Sequence, residues 1–239
     1  MSLRHAAFGP LLALCLFSVS ACRSNRAAEP MPESVAPGIN DVFLSDDLDV
    51  EAFVDRFEGE SREVAREHQG IVATLDLEPG MRVADVGAGT GLFLGALADA
   101  VGRDGVVFEV DISPRFIEHL NERIETEGYP QAKTVLTGLD RLDLPAESID
   151  VAFVCDTYHH FEFPDRNLDS IRRALRPGGL LVVVDFERIE GVTREWLLSH
   201  VRAGKDVVRS EIEAAGFEFV DEPKVEGLKE NYVLRFRRP

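Results

Sequence analysis

The sequence predicts an α/β domain with a mostly parallel sheet covered by helices on both faces. Three observations carry that prediction. Short β-branched runs alternate with helical patterns between residues 81 and 186. Several of those runs are apolar on both alternating faces, a pattern that fits a sheet buried on both sides. A glycine-rich turn, Gly87-Ala88-Gly89-Thr90-Gly91, joins the first run to a helix, and ligands of open α/β sheets sit at such carboxyl-end loops.

The chain has 239 residues, of which 45% are hydrophobic, enough for one sizeable core plus an appendage. Acidic residues outnumber basic ones 43 to 26, for a net charge of -17. Such a surface repels phosphate backbones, so no nucleic-acid partner is expected. The three cysteines stand at positions 15, 22 and 155, a distribution that gives neither a disulfide framework nor metal-ligand spacing.

Residues 1–22 read as a targeting segment. Arg4 and His5 precede the apolar run LLALCLFSV, and Val19-Ser20-Ala21-Cys22 follows it. The run is short for a permanent membrane span and suits a signal-peptide core. Small residues before Cys22 resemble the bacterial lipobox, whose cysteine is lipidated and becomes the new N-terminus. That resemblance implies a lipoprotein facing the periplasm. By the same resemblance to Gram-negative lipoproteins, Arg23 in place of Asp implies the outer membrane rather than the inner one. The alternatives are a plain signal peptide or a cytoplasmic protein starting downstream near Met31. Residues 23–45, rich in Pro, Ser, Ala and Asn, read as a flexible linker, which leaves 46–239 as the domain.

Within the domain, apolar residues at helical spacing over 49–75, with a break near Gly59, predict one or two amphipathic helices. Strands follow at 81–86, 106–111, 134–137, 149–155 and 180–186. Helices are predicted at 96–101, at 114–126 and at 166–175. The second of these is capped by Ser113 with Pro114 in its first turn. The chain ends with a helix at 207–215 and strands at 217–220 and 232–236.

The glycine turn lets the backbone bend sharply and approach a ligand, and its amides and the following helix N-terminus suit an electronegative group. A dinucleotide fingerprint would need a third glycine at position 92, where Leu92 stands. Asp111 ends the second strand about twenty residues beyond the glycines, where a carboxylate can accept both hydroxyls of a ribose. Ile112 would pack on the attached base. Glu109 shares the face of Asp111 but sits deeper.

After the fourth strand comes Asp156-Thr157-Tyr158-His159-His160-Phe161. Tyr158, His159 and His160 are candidate catalytic residues that orient a nucleophile or accept its proton. In an extended turn one of the two histidines would face the pocket, and either could equally be a structural hydrogen bonder. No metal site is expected, because spacing places no third ligand. Cys155 reads as a small core residue. Trp196, His200 and Arg202 lie in a segment, 192–205, that could border an acceptor, although Trp196 reads more simply as packed core.

Together the stretches VADVGAGTGLF, VVFEVDIS, LDRLDLPAESID, CDTYHHF and LRPGGLLVVVDF resemble the class I S-adenosylmethionine-dependent methyltransferases, in the broad group related to ubiquinone/menaquinone C-methylases. The resemblance covers residues 60–237. It implies a Rossmann-like seven-stranded sheet with a terminal antiparallel hairpin, and S-adenosylmethionine as cofactor. It implies cofactor contacts from Asp85, Gly87, Ala88, Gly89, Gly91, Asp111, Ile112 and Asp156, with Asp85 at the amino end of the ligand. Asp140, or the nearby Asp143, would meet the adenine amine. The acceptor is expected to be a small molecule. The alternative is a lipid-anchored module that kept the fold and the cofactor site without catalysis.

Overall fold

The computed structural model describes residues 32–59 and 62–239. The segment read as a targeting signal, Cys22 and the alternative start at Met31 therefore lie outside the described residues.

Seven strands form one sheet: β1 Arg82–Val86, β2 Val106–Asp111, β3 Ala132–Leu136, β4 Ile149–Cys155, β5 Leu175–Phe186, β6 Glu218–Asp221 and β7 Asn231–Arg237. Their order is β3-β2-β1-β4-β5-β7-β6. The first five are mutually parallel, whereas β7 runs antiparallel to both β5 and β6. β1, β2 and β4 fall where the β-branched runs place them. β5 begins earlier than its apolar stretch, because Leu175 pairs across a register shift with Ile149.

Strict alternation sorts the strand side chains into two cores. Ala152 and Val154 of β4, with Leu181 and Val183 of β5, pack on one face with helices α6 (Pro164–Ala174) and α8 (Lys205–Ala214). Val151, Phe153, Val182 and Val184 pack on the other with α3 (His68–Ala73) and α4 (Leu94–Val101). Every one of those eight strand residues is buried. Burial of each Val, Leu or Phe among them contributes about 1.5–3 kcal/mol, and only a sheet covered on both faces collects it on alternate residues.

Helix α5, Pro114–Glu127, starts as its cap residues require: Phe116 N donates to Ser113 Oγ at 3.4 Å, and Gly128 closes the helix at φ +79°. The predicted N-terminal helix breaks into α1 Val50–Glu58, α2 Glu63–Arg66 and α3. A further helix, α7 Glu195–His200, lies between β5 and α8.

The linker predicted over 23–45 is corrected by its described part. Residues 33–45 fold onto the domain, whose compact unit begins at Glu33. Val35 N donates to Glu162 O at 3.0 Å. Buried Asn40 donates to His160 O at 3.0 Å and to Glu162 Oε1 at 3.2 Å. Composition misled here because one polar side chain and one aromatic, Phe43, are enough to anchor a segment of turns.

Candidate active site

The strand order reverses between β1 and β4, and a cavity of about 570 Å³ opens at their carboxyl ends, the ligand position general to open α/β sheets. Its walls come from the loops after β1, β2, β3 and β4 on one side. The N-terminal segment, α1, and the β5–α7 region supply the other.

The loop after β1 is shaped by close packing. Gly87 has φ +79°, and a Cβ added there would lie 2.3 Å from Thr157 Cγ2, so neither conformation nor space admits a side chain. The amides of Gly87 and Ala88 donate to Val110 O, at 2.8 and 3.1 Å. Gly89 N donates to Asp111 Oδ2 at 2.8 Å, and Ser113 N to Asp111 Oδ1 at 2.8 Å. The expectation that these glycine amides are free for an electronegative ligand is thereby corrected: the protein itself uses them, and they fix the loop and the Asp111 carboxylate.

Asp85, Gly87, Ala88, Gly89, Asp111, Ile112 and Asp156 all line the cavity. Asp85 Oδ2 is buried without a hydrogen-bond partner. Burial, and then the charge of Asp111, push its carboxyl up to about 8. Burial raises Asp111 to about 6 against the opposing pull of its backbone N–H donors. Glu109 is fully buried off the cavity wall and is also raised well above the carboxylate range, first by burial and then by Asp85. Three buried acids at one sheet edge are costly unless something cationic or hydrogen-bonding meets them.

Two predicted cofactor residues lie elsewhere. Gly91 is behind the loop, where its Cβ would meet Leu120 Cδ2 at 2.7 Å, so it serves packing. Asp140 pairs with Arg166 at 2.9 Å and Arg141 at 3.3 Å, away from the cavity wall. Asp143 is exposed and bonds Thr137 and Arg141. Thr137, Leu139 and Arg141 line the cavity in their place; the approach of the chain after β3 depends on tertiary packing that spacing does not report.

Asp156 sits at φ +48° and is held by Arg62 and by Asn231 Nδ2, the latter at 2.6 Å. Burial raises its carboxyl to about 6 despite Arg62. Next to Arg62, Glu63 accepts the backbone N–H groups of Lys229, Glu230 and Asn231, each at 2.8 Å. Sequence reasoning missed Arg62, Glu63 and Asn231, because nothing local marks side chains that meet across more than 70 residues.

The Tyr158–His160 segment is a turn of 3-10 helix, not an extended strand end. Successive side chains then point about 120° apart, which changes all three assignments. Tyr158 turns into the core, 1% exposed, packs on Phe161 and donates its hydroxyl to Glu211 Oε2 at 2.8 Å. Its predicted catalytic place is therefore corrected: it lies off the cavity wall. His159 and His160 both line the cavity, where only one was expected.

His159 is buried, with Nδ1 2.8 Å from Asp185 Oδ1, and its backbone N donates to Asp185 Oδ2 at 3.0 Å. Burial opposes its protonation, but the charge and hydrogen bond of Asp185 prevail and raise its pKa. Burial and the neighbouring imidazoles drive His160 down to about 2. His200, at the end of α7, faces both.

An aromatic wall completes this half. Phe43, Phe53, Phe57 and Phe116 form one cluster, and Phe43 also meets the edge of His160 with centroids 5.4 Å apart. Trp196 lies on the wall and is 47% exposed, which overturns its reading as packed core. Arg202 leaves the site for a two-pronged pair with Glu211 at 2.7 and 2.8 Å. Cys155 lines the cavity, but burial raises its thiol well above the ordinary range and leaves it a poor nucleophile.

Residues 84–183, from β1 to β5, match a family model described as a methyltransferase domain. Over 122 residues the chain is 36% identical to an uncharacterized 37.1 kDa transposon protein of Streptomyces fradiae, covering 51% of this chain and 35% of that one. It is 29% identical over 118 residues to the ubiquinone/menaquinone biosynthesis C-methyltransferase UbiE of Burkholderia vietnamiensis, covering 49% and 48%. The chain thus spans less than half the length of these curated relatives. A SAM-dependent methyltransferase structure from Aquifex aeolicus superposes with a TM-score of 0.71 at 22% identity, covering 79% of this chain and 98% of that one. The chain has the Rossmann-like class I methyltransferase fold, with a mostly parallel seven-stranded sheet and an antiparallel end.

Proposed function

We propose that this protein binds S-adenosylmethionine against β1 and β2 and directs its methyl group to a small-molecule acceptor held near His159 and His160. The observation that carries the reading is the buried acidic pair at the sheet edge. Asp85 presents an unpartnered oxygen, and Asp111 is held rigidly by two backbone donors. An ammonium group and a pair of ribose hydroxyls are what such a pair can satisfy. The methyltransferase-domain match and the UbiE relatives support the same reaction class.

The cofactor supplies an activated methyl on a sulfonium. The chain's own residues bind and orient. Asp111 and Ile112 hold the nucleoside, Asp85 the amino end, and the tight Gly87–Thr157 contact sets the floor between the two substrates. Holding the reactants in line contributes about 7–11 kcal/mol in favourable cases, so positioning alone carries much of the catalysis. The aromatic wall of Phe43, Phe53 and Trp196 favours an acceptor with an apolar body.

Isothermal titration with the demethylated cofactor tests the reading. One site per chain, lost in Asp111→Asn, is the expected result. Absence of binding by the wild-type protein would refute it.

The N-terminal pattern ending at Cys22 supports a lipid-anchored form on the outer membrane, facing the periplasm. Mass spectrometry of the mature N-terminus decides this point: an acylated Cys22 is expected, whereas a start near Met31 places the protein in the cytoplasm. Export would separate the protein from its methyl donor, and this favours, as a second reading, a module that binds without turnover. Radiolabelled methyl transfer from the donor to cell extract separates the two.

A further inference from the structure

Beside the proposed cofactor pocket three imidazoles meet, two from adjacent residues and the third from forty residues further along the chain. His159 and His160 come from the turn after β4 and His200 from the end of α7. One ring nitrogen from each lies within 4.8 Å of the others. The ring centroids are 4.4 Å apart for His159 and His160, and 5.1 Å from each of these to His200.

A purely structural role accounts for His159, which is fixed by Asp185. It leaves His160 unexplained, because its Nδ1 is buried and has no hydrogen-bond partner. Imidazoles converging on one point offer ring-nitrogen lone pairs to a cation.

We propose that His159, His160 and His200 bind one divalent first-row transition ion of the zinc type, with a coordination position left open to the cavity. Imidazole donors suit zinc and its neighbours better than magnesium or calcium. Three histidines with an open fourth position are the arrangement of catalytic zinc sites. Asp185 supplies the outer support such sites use. By accepting from Nδ1 it fixes the ring of His159 and leaves Nε2 with its lone pair. The buried negative charge of Asp185 also offsets part of the ion's charge. Phe43 and Trp196 pack against His160 and His200, so an ion held here would stand beside the acceptor and suit its oxygen or sulfur atom. That last assignment rests on the methyl-transfer reading, whereas the ion site does not.

The test strips the purified protein with chelator and titrates it with Zn²⁺ by calorimetry, and with Co²⁺ by visible absorption. The wild-type protein should take up one equivalent of either ion and give the d–d bands of a low-coordinate cobalt site. His200→Ala changes a half-buried residue at a helix end, and thermal unfolding of the ion-free form checks that it folds. It should weaken Zn²⁺ binding at least about 100-fold. Asp185→Asn should weaken it about 10–100-fold while leaving the ligands in place. Zn²⁺ uptake equal in wild type and in the folded His200→Ala variant, or no uptake by either, overturns the proposal. Binding of demethylated cofactor is measured on the same samples. A protein that takes up the ion but not the cofactor keeps the ion site and loses the methyl-transfer reading; the reverse result does the opposite.

Discussion

The two halves of the cavity are built in different ways. The half proposed to hold the cofactor comes from strand-end loops, Asp85–Gly89 and Asp111–Ile112, in which each residue's position follows from the strand before it. The half proposed for the acceptor gathers Phe43, Phe53, His160, Trp196 and His200 from segments that meet only once the chain is folded. Short-range backbone geometry makes the first half, and long-range packing makes the second. Substitutions in the first should therefore act on cofactor affinity, and those in the second on what is held beside it.

The largest expected effect is that of Asp111→Asn. Two hydrogen bonds to an ionised carboxylate are each worth about 1.5–3 kcal/mol, so cofactor affinity should fall roughly 100-fold or more by titration calorimetry. A change of only a few-fold would remove Asp111 from the ribose.

Gly87→Ala comes next. Its φ of +79° and the 2.3 Å approach to Thr157 force either strain or a shift of the loop. Strain of this kind costs about 1–3 kcal/mol. Thermal unfolding should record a lowered Tm, with weaker cofactor binding alongside it. An unchanged Tm would show that the contact is not a constraint.

Acidity provides a third lever. Free Asp85, raised to about 8, is mainly protonated at neutral pH, and a cationic amino group needs it ionised. Affinity for S-adenosylmethionine should therefore rise with pH between 6 and 8, by at most about tenfold per unit for one proton released. Asp85→Asn should flatten that slope. Stability of the free protein should move the other way. From about pH 4 to 8 native Asp85 keeps a proton that the unfolded chain, near 3.8, has released, so stability falls as pH rises through that window.

The smallest effect on cofactor affinity belongs to the N-terminal segment. Asn40→Ala removes two hydrogen bonds that tie residues 33–45 to His160 and Glu162. A loss of about 1–3 kcal/mol is expected in thermal unfolding, with cofactor affinity nearly unchanged. A large loss of cofactor affinity would mean that the two halves are not separable.

The same division explains what was legible in the sequence. β2 and β4 occupy the residues their apolar alternation marks, and Ser113-Pro114 starts α5 as predicted. Asp85, Asp111 and Ile112 reach the cavity because a strand's end fixes its last side chains. Asp140 failed because the chain after β3 is irregular, and Tyr158 because a 3-10 turn replaced an extended one. The packed segment 33–45 had no local signal, since Asn40 gains its role only from distant partners; His200 was read as bordering an acceptor and lines the cavity, but nothing local marked its meeting with His159 and His160.

The central claim, that the acidic sheet edge is a methyl-donor site opening onto the histidines, is tested most directly by a crystal structure with the demethylated cofactor. The account predicts the ribose hydroxyls on Asp111, the amino group at Asp85, and the sulfur turned toward His159 and His160. A ligand bound elsewhere, or one whose sulfur faces away from the histidines, would contradict it.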